Sequence, residues 1–230
     1  MSQEKIETKQ RILNAAKKLF SDKGFSATSI REIAETAKAN VSAVSYHFES
    51  KQGLYWALLE EAFDWLEGGV RKVAETSASP EEMTLGIFDF FNTDPTYLRS
   101  TMKSLLTENL DMNSDATAER TAKKFSTTPG VPGYSYFVNF LKKHLPDDIP
   151  EEAVFWIVNS IFTSTVHLAL MSTTSKFRMM ESTLKSCSGE FCKLHLSHLC
   201  AASIEYGQKH AKELADSIQI PAFQPALENA

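Results

Sequence analysis

The chain is 230 residues long, 43% apolar, and carries 24 Lys and Arg against 29 Asp and Glu, a net charge of -5. That length suits one large or two small globular domains with a sizeable core, and the apolar content is not that of a disordered or fibrous protein. The net negative charge excludes a protein that coats nucleic acid over its whole surface. The polar start MSQEKIETKQR is no secretion signal, and three Cys point to free thiols in a reducing cytoplasm.

The charge is unevenly spread. Residues 1–55 hold nine Lys and Arg against six Asp and Glu, a balance of +3, while the remainder holds fifteen against twenty-three, -8. A mildly basic head on an acidic body suits a protein that meets nucleic acid at one end.

In chain order, the first predicted helix is capped by Thr8. It carries the apolar stripe Ile12, Ala15, Ala16, Leu19 and Phe20, and it ends at Lys23-Gly24 with Gly24 as the C′ glycine. Thr8 and Lys9, near a helix N-terminus, are placed to approach phosphate. Residues 28–48, TSIREIAETAKANVSAVSYHF, read as two short helices with a tight break. Ile30, Ile33, Ala34 and Ala37 recur at i, i+3, i+4 and i+7, and Ser29 with Glu32 forms a capping box. The pattern breaks at Lys38-Ala39-Asn40, and Asn40 caps a second helix that turns Val41, Val44 and Phe48 inward. Ser42, Ala43, Tyr46 and His47 are left on the other side. This is the helix-turn-helix plan, whose second helix enters the DNA major groove. Small residues there allow close approach to base edges, and the hydroxyls, phenol and imidazole offer bonds to phosphates and bases. Spacing alone does not separate this from any surface helix of an all-α protein.

A fourth helix, capped by Ser50 and opening at Lys51, runs to about Val73, with Gly68-Gly69 as an end, kink or hinge. Thr76 to Pro80 is a polar break. Further helix starts stand at Ser79-Pro80-Glu81-Glu82, at Asp94-Pro95 and at Pro150-Glu151-Glu152. Ser126 to Ser135 (STTPGVPGYS) reads as loop. Long helices are predicted over 95–110, 153–172 and 189–215, with a short one over 177–184, and the tail past Pro221 is extended. Period-two alternation is absent, so the fold class is all-α. The apolar-looking segment Ala153 to Met171 is too interrupted by Asn, Ser, Thr and His for a bilayer span and reads as a buried helix, so no membrane partner is expected.

The matching residues Thr8, Ile12-Leu13, Ala15-Ala16, Leu19-Phe20, Gly24-Phe25, Thr28-Ser29, Ile33-Ala34, Ala37, Val41-Ser42, Tyr46-His47-Phe48, Lys51 and Gly53-Leu54-Tyr55 make residues 8–58 resemble the N-terminal DNA-binding domain of the TetR family of bacterial transcriptional regulators. The family usually has Gly where this chain has Lys38, and a non-Gly residue in a left-handed turn costs about 1 kcal/mol. The resemblance implies a helix-turn-helix domain over 1–50, a connecting helix over 51–75 and a helical effector-binding and dimerisation domain over 76–230. It implies a regulator, acting as a repressor, that leaves a palindromic double-stranded DNA operator when a small-molecule effector binds. Ser29 and Arg31 would meet phosphate, Asn40, Ser42, Ala43, Ser45 and Tyr46 would face the groove, and His47 and Lys51 would hold the backbone. Homodimerisation through 153–172 and 189–215 would pair two readers.

An effector pocket is likewise implied by the resemblance. Its candidate lining is Phe91, Met102, Phe137 and Trp156, with Asn109, Asn159, Thr163 or His167 as polar orienters. Two alternatives use the same residues: a ligand-independent regulator, or a partner-binding helical module with the same head. A helical enzyme ranks last, because the chain holds no P-loop, GxGxxG, GxSxG or HExxH pattern. No catalytic residue, cofactor or metal is assigned. Cys187, Cys192, His195, His198 and Cys200 could suggest a metal, but residues 192, 195 and 198 climb one helix, and a closed site needs a second element.

Overall fold

The computed structural model describes residues 3–95, 97–99, 102, 133–181, 183 and 188–217. All regular structure among them is helical. The chain forms two compact units. The first holds the described residues up to Asp64 together with Met102, and the second holds Trp65–Arg99 and the described residues from Gly133 onward.

The first unit contains α1 (Gln3–Lys23), α2 (Ile30–Thr36), α3 (Val41–Phe48) and the first half of α4 (Lys51–Thr76). Helix α1 begins five residues before Thr8, the expected cap. Thr8 lies inside it, and its Oγ1 accepts a bond from Arg11 Nη2 at 3.2 Å. The C-terminus is as expected: Gly24 has φ +85°, and its N–H bonds the Phe20 carbonyl at 2.9 Å. The core is the meeting of the apolar stripes. Ile12, Ala16, Ile33, Val44 and Leu54 are fully buried, and each large aliphatic side chain so placed contributes about 1.5–3 kcal/mol. Phe20, Phe25 and Tyr55 close one end, with ring centroids 4.9–5.6 Å apart.

The second unit is organised on α7 (Glu151–Ser172), which packs against α5 (Pro80–Thr93), α6 (Tyr134–Lys142), α9 (Gly189–Lys209) and α10 (Ala211–Ser217); α8 (Ser175–Glu181) lies between α7 and α9 in sequence. The start of α5 is formed as its sequence dictates. The Ser79 side chain accepts from Glu82 N–H, Pro80 occupies the first turn, and Glu82 reaches back to the Ala78 N–H at 2.8 Å. By length and composition α7 is apolar enough to cross a bilayer. In the fold its stripe Ala153, Val154, Ile157, Val158, Ile161, Phe162, Thr165 and Ala169 is buried against other helices.

One helix end is as expected and another is corrected. Helix α4, expected to run to about Val73, passes through Gly68-Gly69 and continues to Thr76. A Cβ at Gly69 would collide with the ring of Phe90, so this glycine admits an aromatic side chain, and Trp65 stacks on the same ring at 4.4 Å. The last long helix is interrupted at His210, where φ is -108° and ψ 20°, and resumes as α10. No Gly or Pro stands at that position to announce the break.

Candidate nucleic-acid interface

The capping box expected at the start of α2 is formed. Glu32 N–H donates to Ser29 Oγ at 3.2 Å, and Ser29 N–H donates to Glu32 Oε2 at 2.9 Å. Lys23 Nζ adds an ion pair to Glu32 Oε1 at 2.7 Å. The Lys23 bond first, then the Ser29 bonds, hold the Glu32 carboxyl at a pKa of about 2. One side chain thus fixes both the entry of α2 and the end of α1.

The break between α2 and α3 is a hydrogen-bonded turn of Schellman type. Ala39 N–H reaches the Ala34 carbonyl at 2.9 Å and Lys38 N–H reaches the Glu35 carbonyl at 3.2 Å. Lys38 has φ +51°, in the left-handed region that favours glycine. Arg11 of α1 braces the turn, its Nε donating to the Ala37 carbonyl at 3.2 Å.

Helix α3 buries Val44 and Phe48. Val41, expected inward, is 48% exposed, because the first residue of the helix lies outside the ring of contacts that closes on Val44. Asn40 occupies the cap position without a side-chain cap bond. The far end of α3 is tight. Glu49 has φ 64° and ψ -51°, and Ser50 N–H bonds the Phe48 carbonyl at 2.6 Å, a γ-turn of the strained, positive-φ kind. The Phe48 carbonyl rests where a Cβ at position 53 would be, so only Gly53 lets α4 start there. Ser50 caps α4 through its Oγ, which accepts from Gly53 N–H at 2.8 Å.

These constraints leave one face of α3 open. Ser42, Ser45 and Tyr46 are exposed, Tyr46 to 69%; Asn40 is exposed at the approach, and Ala43 and His47 are half-buried. Lys5 and Lys9, one turn apart on α1, lie beside this face. Lys5 Nζ donates to the Tyr46 hydroxyl at 3.2 Å and Lys9 Nζ sits 5.9 Å from the Phe48 ring. Burial first, then the charges of Lys9 and Lys5, hold the His47 imidazole below its ordinary pKa. Lys5 was not identified from sequence, although its i, i+4 spacing from Lys9 was the available signal.

The expected backbone-holding residues differ in freedom. Arg31 is exposed and, among the described residues, pairs with Glu35, Nε to Oε1 at 3.1 Å, an exposed pair worth little that can be exchanged. Ser29 is exposed but committed to its cap. The Lys51 ammonium is half-buried, donates to the carbonyls of Phe25 and Thr28 at 3.0 Å each, and lies 4.3 Å from the Phe25 ring centroid.

In the second unit, Phe91 and Phe137 are buried and meet Phe162 at 6.4 and 5.8 Å. Trp156 is half-buried and stacks on Tyr206 at 4.9 Å. The polar orienters are elsewhere. Asn159 returns its Nδ2 to the Phe155 carbonyl at 3.1 Å, and Thr163 and His167 are exposed. The three recur every four residues on the side of α7 opposite its buried stripe, so they cannot orient a molecule among Phe91, Phe137 and Phe162. Met102 is half-buried and belongs to the first unit; Asn109 lies outside the described residues, as does Cys187. Cys192 and Cys200 face inward while His195 and His198 are exposed, which divides the group that spacing alone would gather.

Residues 12–58 match the family described as "Bacterial regulatory proteins, tetR family". The chain is 45% identical over 75 residues to "Probable HTH-type transcriptional regulator YttP" of Bacillus subtilis (strain 168), a match covering 33% of this chain and 34% of that protein. It is 30% identical over 129 residues to "HTH-type transcriptional repressor NicS" of Pseudomonas putida, covering 54% of this chain and 59% of that protein. The chain therefore spans from a third to three-fifths of these relatives. In fold it is similar over 94% of its length to 87% of a tetR-family transcriptional regulator from Streptomyces coelicolor, with a TM-score of 0.60 and 20% identity.

Proposed function

We propose that the protein is a DNA-binding transcriptional regulator of the tetR kind acting as a repressor, a reading supported by the match of residues 12–58 to the family of bacterial regulatory proteins of that name. The observation that carries the reading is the open face of α3. Ser42, Ser45 and Tyr46 are exposed on a helix whose two ends are fixed by a Schellman turn and a γ-turn, with Lys5 and Lys9 alongside. Rigid presentation of small and hydroxyl-bearing residues suits base readout, and flanking ammonium groups suit phosphate. Asn40 and Ala43 border the same face; Arg31 and His47 lie at its edges with donors to offer. Lys51 acts from behind, holding the loop on which the reader stands.

One reader helix touches too few bases for specificity, so two copies bind an inverted repeat. The pairing surface is the outer side of α7 and α9, where Phe155, Met171, Phe191, Leu194 and Tyr206 are exposed beside Asn159, Thr163, Ala201 and Ala202. Residues 1–50 form the head, 51–75 the connecting helix and 76–230 the body, working in the cytoplasm. An effector held in the body prefers a spacing of the heads unsuited to the operator, and it lowers DNA affinity by its differential affinity for the two arrangements.

Footprinting on the DNA upstream of the protein's own coding region tests this. The expected result is a protected inverted repeat whose occupancy falls steeply with salt. Uniform, sequence-independent protection, or none, refutes the reading.

A further inference from the structure

The interior of the second unit is built from aromatic edges. Phe162 on α7 receives Phe91, Phe137 and Tyr134, with Tyr134 at 6.0 Å and 84°. Tyr134 differs from the two phenylalanines by one hydroxyl. The residue is 6% exposed, and its hydroxyl is buried with no hydrogen-bond partner among the described residues. Buried phenols nearly always find a partner, because an unpaired polar group inside a protein is costly. Three buried threonine hydroxyls of the same unit do so locally: Thr84 donates to the Pro80 carbonyl at 2.7 Å, Thr165 to Ile161 at 2.8 Å and Thr173 to Leu170 at 2.7 Å.

The position of Tyr134 is tightly specified. Gly133 before it has φ +91°, and a Cβ there would press on Val70, so α6 can begin at this point only with glycine. The tyrosine is the first residue of that helix. Burial pushes its phenol up to about 12, so it stays a neutral donor at any physiological pH. Among the described residues, no buried side chain carries a charge.

We propose that the Tyr134 hydroxyl is the polar contact for an uncharged, largely apolar ligand bearing one hydrogen-bond acceptor, such as a ketone or ester oxygen, held against Phe91, Phe137 and Phe162. The proposal rests on reading the second unit as ligand-binding. It replaces Asn159, Thr163 and His167, which face away, with a donor that faces in. Three ring edges select for apolar surface, the neutral phenol selects for an acceptor, and the lack of a buried counter-charge among the described residues disfavours an ionised ligand.

The test uses the full-length protein and prodan, an uncharged naphthyl ketone whose emission reports polarity and hydrogen bonding. Wild type is expected to bind it saturably with blue-shifted emission. Tyr134→Phe is expected to keep or raise the melting temperature, since it removes an unpaired group, and to bind prodan about fivefold more weakly, the loss of one ordinary hydrogen bond. The naphthoate counterpart, with a carboxylate in place of the propionyl group, is expected to bind about tenfold more weakly than prodan or worse. The proposal is overturned by absence of saturable prodan binding, by equal affinity in Tyr134→Phe, by a lowered melting temperature in that variant, or by tight naphthoate binding. Operator binding measured in parallel separates the two readings. Prodan bound through Tyr134 with DNA affinity unchanged keeps the site and removes the effector role; DNA binding intact without prodan binding removes the site and keeps the regulator.

Discussion

Lys51 reaches back to donate its ammonium to the Thr28 carbonyl at 3.0 Å. The neighbouring carbonyl of Phe25 accepts a second bond at the same distance, so the loop between α1 and α2 is tied to the first turn of α4. Thr28 closes the same loop from within, its Oγ1 donating to the Gly24 carbonyl at 2.8 Å. Lys51→Met keeps the aliphatic stem and removes the donors. Stability to urea is expected to fall by about 1–2 kcal/mol, the value of bonds from a charged donor discounted for half exposure. The salt dependence of DNA binding separates bracing from direct contact. Its slope stays unchanged if Lys51 only braces, and drops if the ammonium also meets phosphate.

Lys38 holds the left-handed position of the Schellman turn with φ +51°. Its strain is about 1 kcal/mol relative to glycine, partly offset by the greater freedom of glycine in the unfolded chain. Lys38→Gly is therefore expected to raise unfolding free energy by up to about 1 kcal/mol. Thermal denaturation compared with Lys38→Ala, which keeps the strain and loses the charge, isolates the backbone contribution. Equal stability of the Gly and Ala variants would show that the strain is no larger than the unfolded-chain freedom glycine adds.

Glu32 gives a pH signature. Its folded pKa, about 2, lies below the ordinary 4.5 because of Lys23 and the Ser29 bonds. A carboxylate with a depressed folded pKa adds stability that is complete above its unfolded pKa and is lost as pH falls toward the folded one. The first unit should therefore lose stability between about pH 4.5 and pH 2. Glu32→Gln can still accept from the Ser29 N–H but cannot titrate, so it should be less stable at neutral pH and flatter across the acid range. Parallel acid titrations by circular dichroism that superimpose would rule out this contribution.

What the sequence disclosed depends on how local each cause is. The capping box at Ser29, the serine cap with its following proline at Ser79, the C′ glycine at Gly24 and the stripe of α2 rest on residues within one turn of each other, and all were legible. The gaps concern features set by distant neighbours. Gly69 reads as a breaker until Phe90 is seen against it. Gly53 is explained only by the Phe48 carbonyl above it. Tyr134 falls in a stretch that composition reads as loop, so its role in the interior was hidden. For Asn159, Thr163 and His167, composition named suitable chemistry, but helix phase put them outside; that phase was readable from the apolar stripe beginning at Ala153 and Ile157.

The last prediction concerns Lys5 and Lys9. Lys5 leans on Tyr46, Nζ to hydroxyl at 3.2 Å and 5.2 Å from the ring centroid, so its charge is delivered beside the reader. If both ammonium groups meet phosphate, each replacement by Gln removes two contacts from a two-headed assembly. The slope of log K against log salt should then become shallower by about 1.8 per substitution, while preference among base sequences is retained. Tyr46→Ala should do the reverse, relaxing sequence preference with a smaller change in slope. The lysines also oppose protonation of His47, so Lys9→Gln should raise the imidazole pKa, visible by NMR of the free protein. Fluorescence anisotropy on operator and scrambled duplexes over 50–200 mM salt, the range in which counterion release changes affinity by about 10³–10⁵ for six to ten contacts, measures both arms. An unchanged slope in the double lysine variant would move the phosphate contacts away from α1 and leave Arg31 and His47 to supply them.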